Sequence, residues 1–181
     1  MFAFDKPVFN WLYGLAGRFW LLDYAVVFSA KWLIWLALGV FAIAVWRSQS
    51  LRTRAYFFSL AALGAILSRG ILAEIIRYAR YNPRPFEELG IDPLFEQYAT
   101  ASFPSGHVAF LFPIALAAWK YNKKLGIWII AATVLMGLSR VIAGVHWLTD
   151  IAAGFLVGAI GFFVAQALLP RLEKKAEEKL S

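Results

Sequence analysis

No cysteine occurs in the sequence, which removes disulfide staples, thiolate nucleophiles and cysteine metal sites. Histidine is nearly as scarce: His107 and His146 are the two, so any imidazole chemistry rests on them. Charged residues are few as well, 16% of 181 residues, against about 25% in an ordinary soluble domain. Apolar residues reach 61%, with a mean hydropathy of +0.65. A chain of this length leaves much of its surface uncovered, so that excess cannot be hidden in one small core. A water-soluble globular protein is therefore excluded. The apolar runs are continuous and rich in Leu and Ala, without ten-residue alternation, which argues against a membrane barrel.

What is present is five apolar stretches near the ~20 residues needed to cross a bilayer: Tyr24–Trp46, Ala55–Ile76, Ser105–Tyr121, Leu125–Gly144 and Trp147–Leu169. Backbone groups inside lipid must be satisfied within each segment, so these are helices. The expectation is an all-α, polytopic membrane bundle of five transmembrane helices. Ahead of them, Val8–Trp20 is rich in aromatics but broken by Gly14, Gly17 and Arg18, which fits an interfacial helix better than a sixth span. The chain reads as one domain, 1–181, without internal repeats.

The net charge of +7 is distributed unevenly. One end of the bundle collects Arg47, Arg52, Arg54, Lys120, Lys123, Lys124, Arg171, Lys174, Lys175 and Lys179 against Glu173, Glu177 and Glu178, and so holds the whole excess. Lys and Arg concentrate on the cytoplasmic side. The other end, neutral in sum, is expected to face outward from the cell membrane, with the C-terminus cytoplasmic. The excess thus reflects orientation, and no nucleic-acid partner is expected. The tail after Pro170 reads as a charged helix or a solvated end, and the eight Trp read mostly as interfacial anchors.

The neutral end carries a long loop, Tyr78–Phe103, and three clusters at membrane boundaries. Arg77 and Arg84-Pro85 follow the second stretch, Pro104-Ser105-Gly106-His107 opens the third, and Ser139-Arg140, His146 and Asp150 bracket the turn between the fourth and fifth. Taken singly they read as a snorkelling anchor, a helix cap and a polar pair. Together, with both His on one side, they read as a site. Three guanidiniums offer planar, bidentate donors to a phosphoryl group. Ser105, Gly106 and His107 begin a helix whose free amides favour an anion. Asp150, one turn beyond His146, can accept from its Nδ1 and leave Nε2 free as a nucleophile. His107 comes from another helix and can protonate a leaving oxygen. The spacing from Asp150 favours His146 as the nucleophile over His107. No metal or other cofactor is expected, since the Arg residues supply the charge.

Arg77-x6-Arg84-Pro85, Pro104-Ser105-Gly106-His107 and Ser139-Arg140-x5-His146-x3-Asp150 resemble the three signature motifs of the phosphatidic acid phosphatase type 2 superfamily, membrane lipid phosphatases related to vanadium haloperoxidases. The first motif departs at Arg77, where the family has Lys. The resemblance implies His146 as a nucleophile that becomes phosphohistidine, Asp150 as its orienter, and His107 as the acid. It also implies Arg77, Arg84, Ser105, Gly106 and Arg140 as the phosphate site. Asn10, Leu15-Ala16-Gly17, Leu22-Asp23, Arg84-Pro85-Phe86, Ser102-Phe103-Pro104 and Gly144-Val145-His146 are similar to the bacterial undecaprenyl-diphosphate phosphatases of that superfamily. This implies a lipid phosphate substrate in the bilayer, undecaprenyl diphosphate, cleaved at the outer face. The alternatives are another lipid phosphate (phosphatidylglycerol phosphate, phosphatidate or a lipid A phosphate), a vanadate-type haloperoxidase, and a non-catalytic protein that binds or transports anionic lipid.

Two further basic residues, Lys31 and Arg69, lie inside apolar stretches and read as snorkelling side chains. Glu74 is placed to hold Arg77, and Arg80 reads as loop surface, with contact to a second phosphate as the lesser reading. Gly154-x3-Gly158 and Gly161 read as close helix packing, within the chain or across a dimer.

Overall fold

A computed structural model describes residues 5–48 and 50–170, and no strand occurs among them. Nine α-helices among the described residues, with one π-helical segment, run in the order α1 (Asp5–Tyr13), α2 (Trp20–Lys31), α3 (Leu33–Trp46), α4 (Leu51–Ala65), the π segment (Ile66–Leu72), α5 (Ala73–Ala79), α6 (Pro85–Leu89), α7 (Gly106–Tyr121), α8 (Lys123–Ile142) and α9 (Leu148–Leu168). The all-α membrane bundle is as expected. The charged tail, Arg171 onward, lies outside the described residues.

Three helices are long and apolar enough to cross a bilayer: Leu51–Ala79, Lys123–Ile142 and Leu148–Leu168. The pair α2 and α3, bent by 50° at Trp32, makes a fourth. The expected fifth, α7, has 16 residues, about 24 Å at 1.5 Å per residue, which is short of the hydrocarbon thickness. Most of its apolar side chains face protein, although Trp119 is exposed. Val108, Ala109, Leu111, Ala115, Ala117 and Ala118 are fully buried, and α7 packs against α4, α8 and α9 as the central helix. It starts at Gly106, one residue after the expected Ser105, whose amide donates to the Asp150 carbonyl at 2.9 Å.

The single helix expected over Val8–Trp20 is instead two elements. Helix α1 ends at Tyr13, Gly17 takes φ 76°, and its amide donates to Asp23 Oδ1 at 3.0 Å, turning the chain into α2. At nine residues α1 cannot span. It docks on the start of α9: Asp5 accepts from the Thr149 amide and hydroxyl at 3.2 and 2.7 Å. Phe9, fully buried, lies against Trp147 with ring centroids 5.1 Å apart. Seven of the eight Trp are exposed, as anchors should be; Trp147 is the one that is buried.

Gly154, Gly158 and Gly161 pack within the chain. A Cβ on Gly154 would sit 2.9 Å from Val108 Cβ, one on Gly158 3.0 Å from Phe112 Cβ, and one on Gly161 2.7 Å from Ser68 Cβ and 2.8 Å from the Gly64 carbonyl. Gly161→Ala therefore forces α9 away from the π segment. The expected cost is about 1–3 kcal/mol, the range for overpacking a close contact. A thermal melt in detergent that leaves Gly161→Ala level with the parent would contradict this packing.

Candidate active site

The antiparallel bundle gathers the C-terminal ends of α5 and α8 and the N-terminal ends of α7 and α9 at one end. The long loop folds over that end. It is tied shut at its base, where the Ser102 amide donates to the Asn82 carbonyl (2.8 Å) and Asn82 Nδ2 to Ser102 Oγ (3.0 Å). Trp147 Nε1 donates to the Pro83 carbonyl at 3.0 Å and so joins the loop to the start of α9. Pro85 then begins α6, fitting the first helical position where an amide is not needed. These ties fix Arg84. Its Nε donates to the Thr100 carbonyl (3.1 Å), Nη2 to Thr100 Oγ1 (3.1 Å) and Nη1 to the Val145 carbonyl (2.8 Å).

Gly144, at φ 83°, lets the chain reverse after α8 and carry His146 inward. Asp150 then serves two donors through Oδ2, the Trp147 amide that opens α9 (2.9 Å) and His146 Nδ1 (3.1 Å). Arg84 Nη1 approaches His146 Nε2 at 3.3 Å. A guanidinium has no acceptor, so Nε2 must offer its lone pair, and the proton sits on Nδ1 facing the carboxylate. Burial, followed by the Arg140 and Arg84 guanidiniums, holds the His146 ring well below the ordinary imidazole range, so it is neutral.

Arg140 is buried in the bundle. Its Nη1 donates to the Ala30 carbonyl (3.1 Å) and approaches His107 Nε2 (3.4 Å), while Nη2 donates to Gln97 Oε1 (3.2 Å). Arg77 Nη2 donates to the Pro104 carbonyl (2.9 Å) and Nη1 to Glu74 Oε1 (3.0 Å). Gly106 lies directly beneath guanidiniums: a Cβ there would be 2.5 Å from Arg69 Nε and 2.9 Å from Arg77 Nη2. Glycine is the residue that permits this approach. Three buried donors of the site, Arg77 Nε, Ser105 Oγ and Arg140 Nε, have no hydrogen-bond partner among the described residues. Buried polar groups are rarely left so unless a ligand completes them.

These side chains enclose a cavity of ≈ 330 Å³ lined by Arg69, Arg77, Arg84, Gln97, Thr100, Gly106, His107, Arg140 and His146, with Ile34 and Phe110. All eight residues singled out from the sequence thus lie at one end. Arg77, Arg84, Gly106, His107, Arg140 and His146 line the cavity itself, and Ser105 and Asp150 stand directly behind it. The sequence reading missed Arg69, placed there as a snorkelling side chain, and the loop residues Gln97 and Thr100, which carry no signal of their own. Arg80 is exposed and away from the cavity. An apolar groove of ≈ 300 Å³ between α3, α4 and α7, lined by Phe41, Phe58, Ala62, Ile66 and Ile114 among others, meets the polar cavity at Phe110, which lines both.

Comparison with known proteins agrees with this architecture. The chain is 29% identical over 167 residues to the "Bacitracin transport permease protein BcrC" of Bacillus licheniformis, covering 91% of this chain and 80% of that protein. It is 26% identical over 156 residues to the "Undecaprenyl-diphosphatase BcrC" of Bacillus subtilis (strain 168), covering 86% and 79%. The crystal structure of Aquifex aeolicus LpxE superposes with a TM-score of 0.75 at 24% identity, over 92% of this chain and 96% of that one. Bacillus subtilis PAP2-type phosphatidylglycerolphosphate phosphatase gives a TM-score of 0.63 at 20% identity, over 92% and 86%. Residues 55–174, which take in every helix that contributes one of the eight site residues, match the PAP2 superfamily, and the chain belongs to it as a multi-pass membrane phosphatase.

Proposed function

We propose that this protein removes the terminal phosphate of undecaprenyl diphosphate, releasing undecaprenyl phosphate and inorganic phosphate at the outer face of the cell membrane. The observation that carries the reading is the chain Asp150–His146–Arg84. It presents an unprotonated Nε2 to an arginine-lined cavity that opens beside an apolar groove. The two BcrC relatives support the diphosphate substrate. The outward orientation is supported by the basic residues at the opposite end, Arg47, Arg52, Arg54, Lys120, Lys123 and Lys124.

In this mechanism Arg77, Arg84, Arg140, Ser105 Oγ and the Gly106 amide hold the terminal phosphoryl group. Nε2 of His146 attacks phosphorus; the N–P bond forms as the bridging P–O bond breaks, and its electron pair stays on the leaving oxygen. The positive charge that develops on the imidazole is balanced by Asp150. Water then attacks the phosphohistidine, the N–P bond returns its pair to Nε2, and phosphate leaves. His107, on the first turn of α7, turns Nε2 to the Arg140 guanidinium and so carries its proton on Nδ1, from which it protonates the leaving oxygen where that oxygen needs it.

Phosphate release from a panel comprising undecaprenyl diphosphate, phosphatidylglycerol phosphate, phosphatidate and a lipid A phosphate tests the substrate, and turnover should be highest with the diphosphate. A preference for any monoester would overturn the assignment. Because a diphosphate leaves as a phosphate anion and a monoester as an alkoxide, His107→Ala should affect the two unequally. A loss of roughly 10²–10⁴ is expected for a monoester, the usual worth of a general acid, and at least tenfold less for the diphosphate. Equal losses would mean that His107 does not act on the leaving group.

A further inference from the structure

Arg69 has no place in the three motifs, yet it lies in the wall of the cavity, and the fold is arranged to bring it there. In an unbroken α-helix the eight residues from Arg69 to Arg77 put the two side chains roughly 80° apart around the axis, at 3.6 residues per turn. The π segment takes up the extra residue and narrows that angle. It is a fixed feature. The Ala73 amide reaches back five residues to the Ser68 carbonyl. Ser68 Oγ, fully buried, lies 2.6 Å from the Ala109 carbonyl on α7 and 2.7 Å from the Gly64 carbonyl. Gly161 on α9 leaves the room for it.

Arg69 and Arg77 then share one carboxylate oxygen, Glu74 Oε1, and both guanidiniums lie over Gly106. They differ in depth. The Arg77 side chain is 16% exposed and the Arg69 side chain 38%, so Arg69 stands at the mouth while His146 lies at the floor. The apolar groove shares Phe110 with the cavity, and Ile66, three residues before Arg69 on the π segment, lines the groove. A lipid whose chain lies in that groove and whose terminal phosphoryl group reaches His146 at the floor would bring its inner phosphate to the mouth, where Arg69 stands. The charges agree as well. Four guanidiniums line the cavity and one carboxylate, Glu74, contacts two of them; the resulting excess of about three positive charges matches a fully ionised diphosphate ester better than a monoester.

We propose that Arg69 binds the inner, departing phosphate of a lipid diphosphate and so determines selectivity for diphosphate over monophosphate lipids; this rests on the diphosphatase reading above. As the bridging P–O bond breaks, its electron pair becomes negative charge on the oxygen that stays with the lipid, and Arg69 neutralises the resulting phosphate monoester. The phosphoryl group itself passes to His146 Nε2 in the same step.

The test compares farnesyl diphosphate with farnesyl phosphate, which share one chain and differ by the inner phosphate, on full-length protein in detergent. Arg69→Gln should lower kcat/KM for the diphosphate about 10- to 100-fold more than for the monophosphate, the loss expected for a charge-assisted contact. Arg69→Lys, which keeps the charge without the planar fork, should fall between. Turnover of the monophosphate reports that the variant is folded. An equal loss on both substrates would place Arg69 on the transferred phosphoryl group and overturn the proposal. No loss on either would reduce Arg69 to a partner of Glu74 and overturn it too. Failure of the diphosphatase reading shows separately, as wild-type protein that hydrolyses farnesyl phosphate and leaves farnesyl diphosphate intact, and it removes the inference with it.

Discussion

His146→Ala should leave essentially no lipid phosphatase turnover, with kcat reduced on the order of 10⁴-fold or more, as when the nucleophile of a coupled catalytic unit is removed. The alternative nucleophile in the cavity is His107, the one other imidazole in the chain. Its Nε2 is engaged by Arg140 at 3.4 Å, and no carboxylate is hydrogen-bonded to its ring among the described residues. His146 differs in having a carboxylate: Asp150 fixes its tautomer, while its Nε2, like that of His107, meets a guanidinium, here that of Arg84, which is proposed to hold the phosphoryl group. The substitution truncates a side chain in the short connection between α8 and α9 without touching the Asp150–Trp147 cap, so the helices should assemble as before. Two measurements separate chemistry from folding. Acid quenching of the wild-type protein with terminally labelled lipid diphosphate should trap an acid-labile phosphoprotein, which the variant should lack, while both melt at similar temperatures. Residual activity above about one per cent, far outside that expected loss, or a labelled adduct in the variant, would move the nucleophile elsewhere.

Much of this site is legible in the sequence because its chemistry needs rare residues in fixed places. With two His in a chain of low charge, a cluster of Arg, His and Asp at helix ends stands out, and the four-residue spacing points to the His146–Asp150 contact, although His146 lies just before α9 and the contact is made from the capping position of Asp150. What could not be read depends on geometry that periodicity does not encode. Arg69 lies in an apolar run and, counted along a regular helix, stands roughly 80° around the axis from Arg77; the π segment that narrows this angle has no sequence signature. Gln97 and Thr100 hold Arg140 and Arg84 from a loop whose path is set by Asn82, Ser102 and Trp147, contacts between residues 20 to 64 positions apart. Helix α7 meets the composition of a membrane span and, from Ser105 to Tyr121, is already short in the sequence; what the sequence does not show is its central packing against α4, α8 and α9. The same applies to α1: its aromatics suggest lipid, whereas Phe9 is taken by Trp147.

Asp150→Asn is the second change with a large expected effect, and it acts through charge. Oδ2 of Asp150 accepts from both the Trp147 amide and His146 Nδ1. An asparagine offers one oxygen and one NH₂ group. One oxygen already serves both donors, so the amide oxygen can take its place, with the NH₂ group where Oδ1 stands. The ring then keeps its proton on Nδ1 and its lone pair on Nε2. What is lost is the negative charge that balances the imidazole as the N–P bond forms. A carboxylate-to-amide change beside a catalytic histidine costs about 10⁴ in kcat in serine proteases, where the tautomer fails as well; a loss on the order of 10³ is expected here. KM should move far less, because the arginines proposed to bind phosphate are untouched. Raising the pH should not restore the rate, since the amide does not ionise. Asp150→Ala separates this from helix capping: it removes the acceptor of the Trp147 amide as well and should lower the melting temperature, where Asp150→Asn should not. Activity of Asp150→Asn within tenfold of the parent, or recovery at high pH, would show that the charge of Asp150 does not support attack by His146.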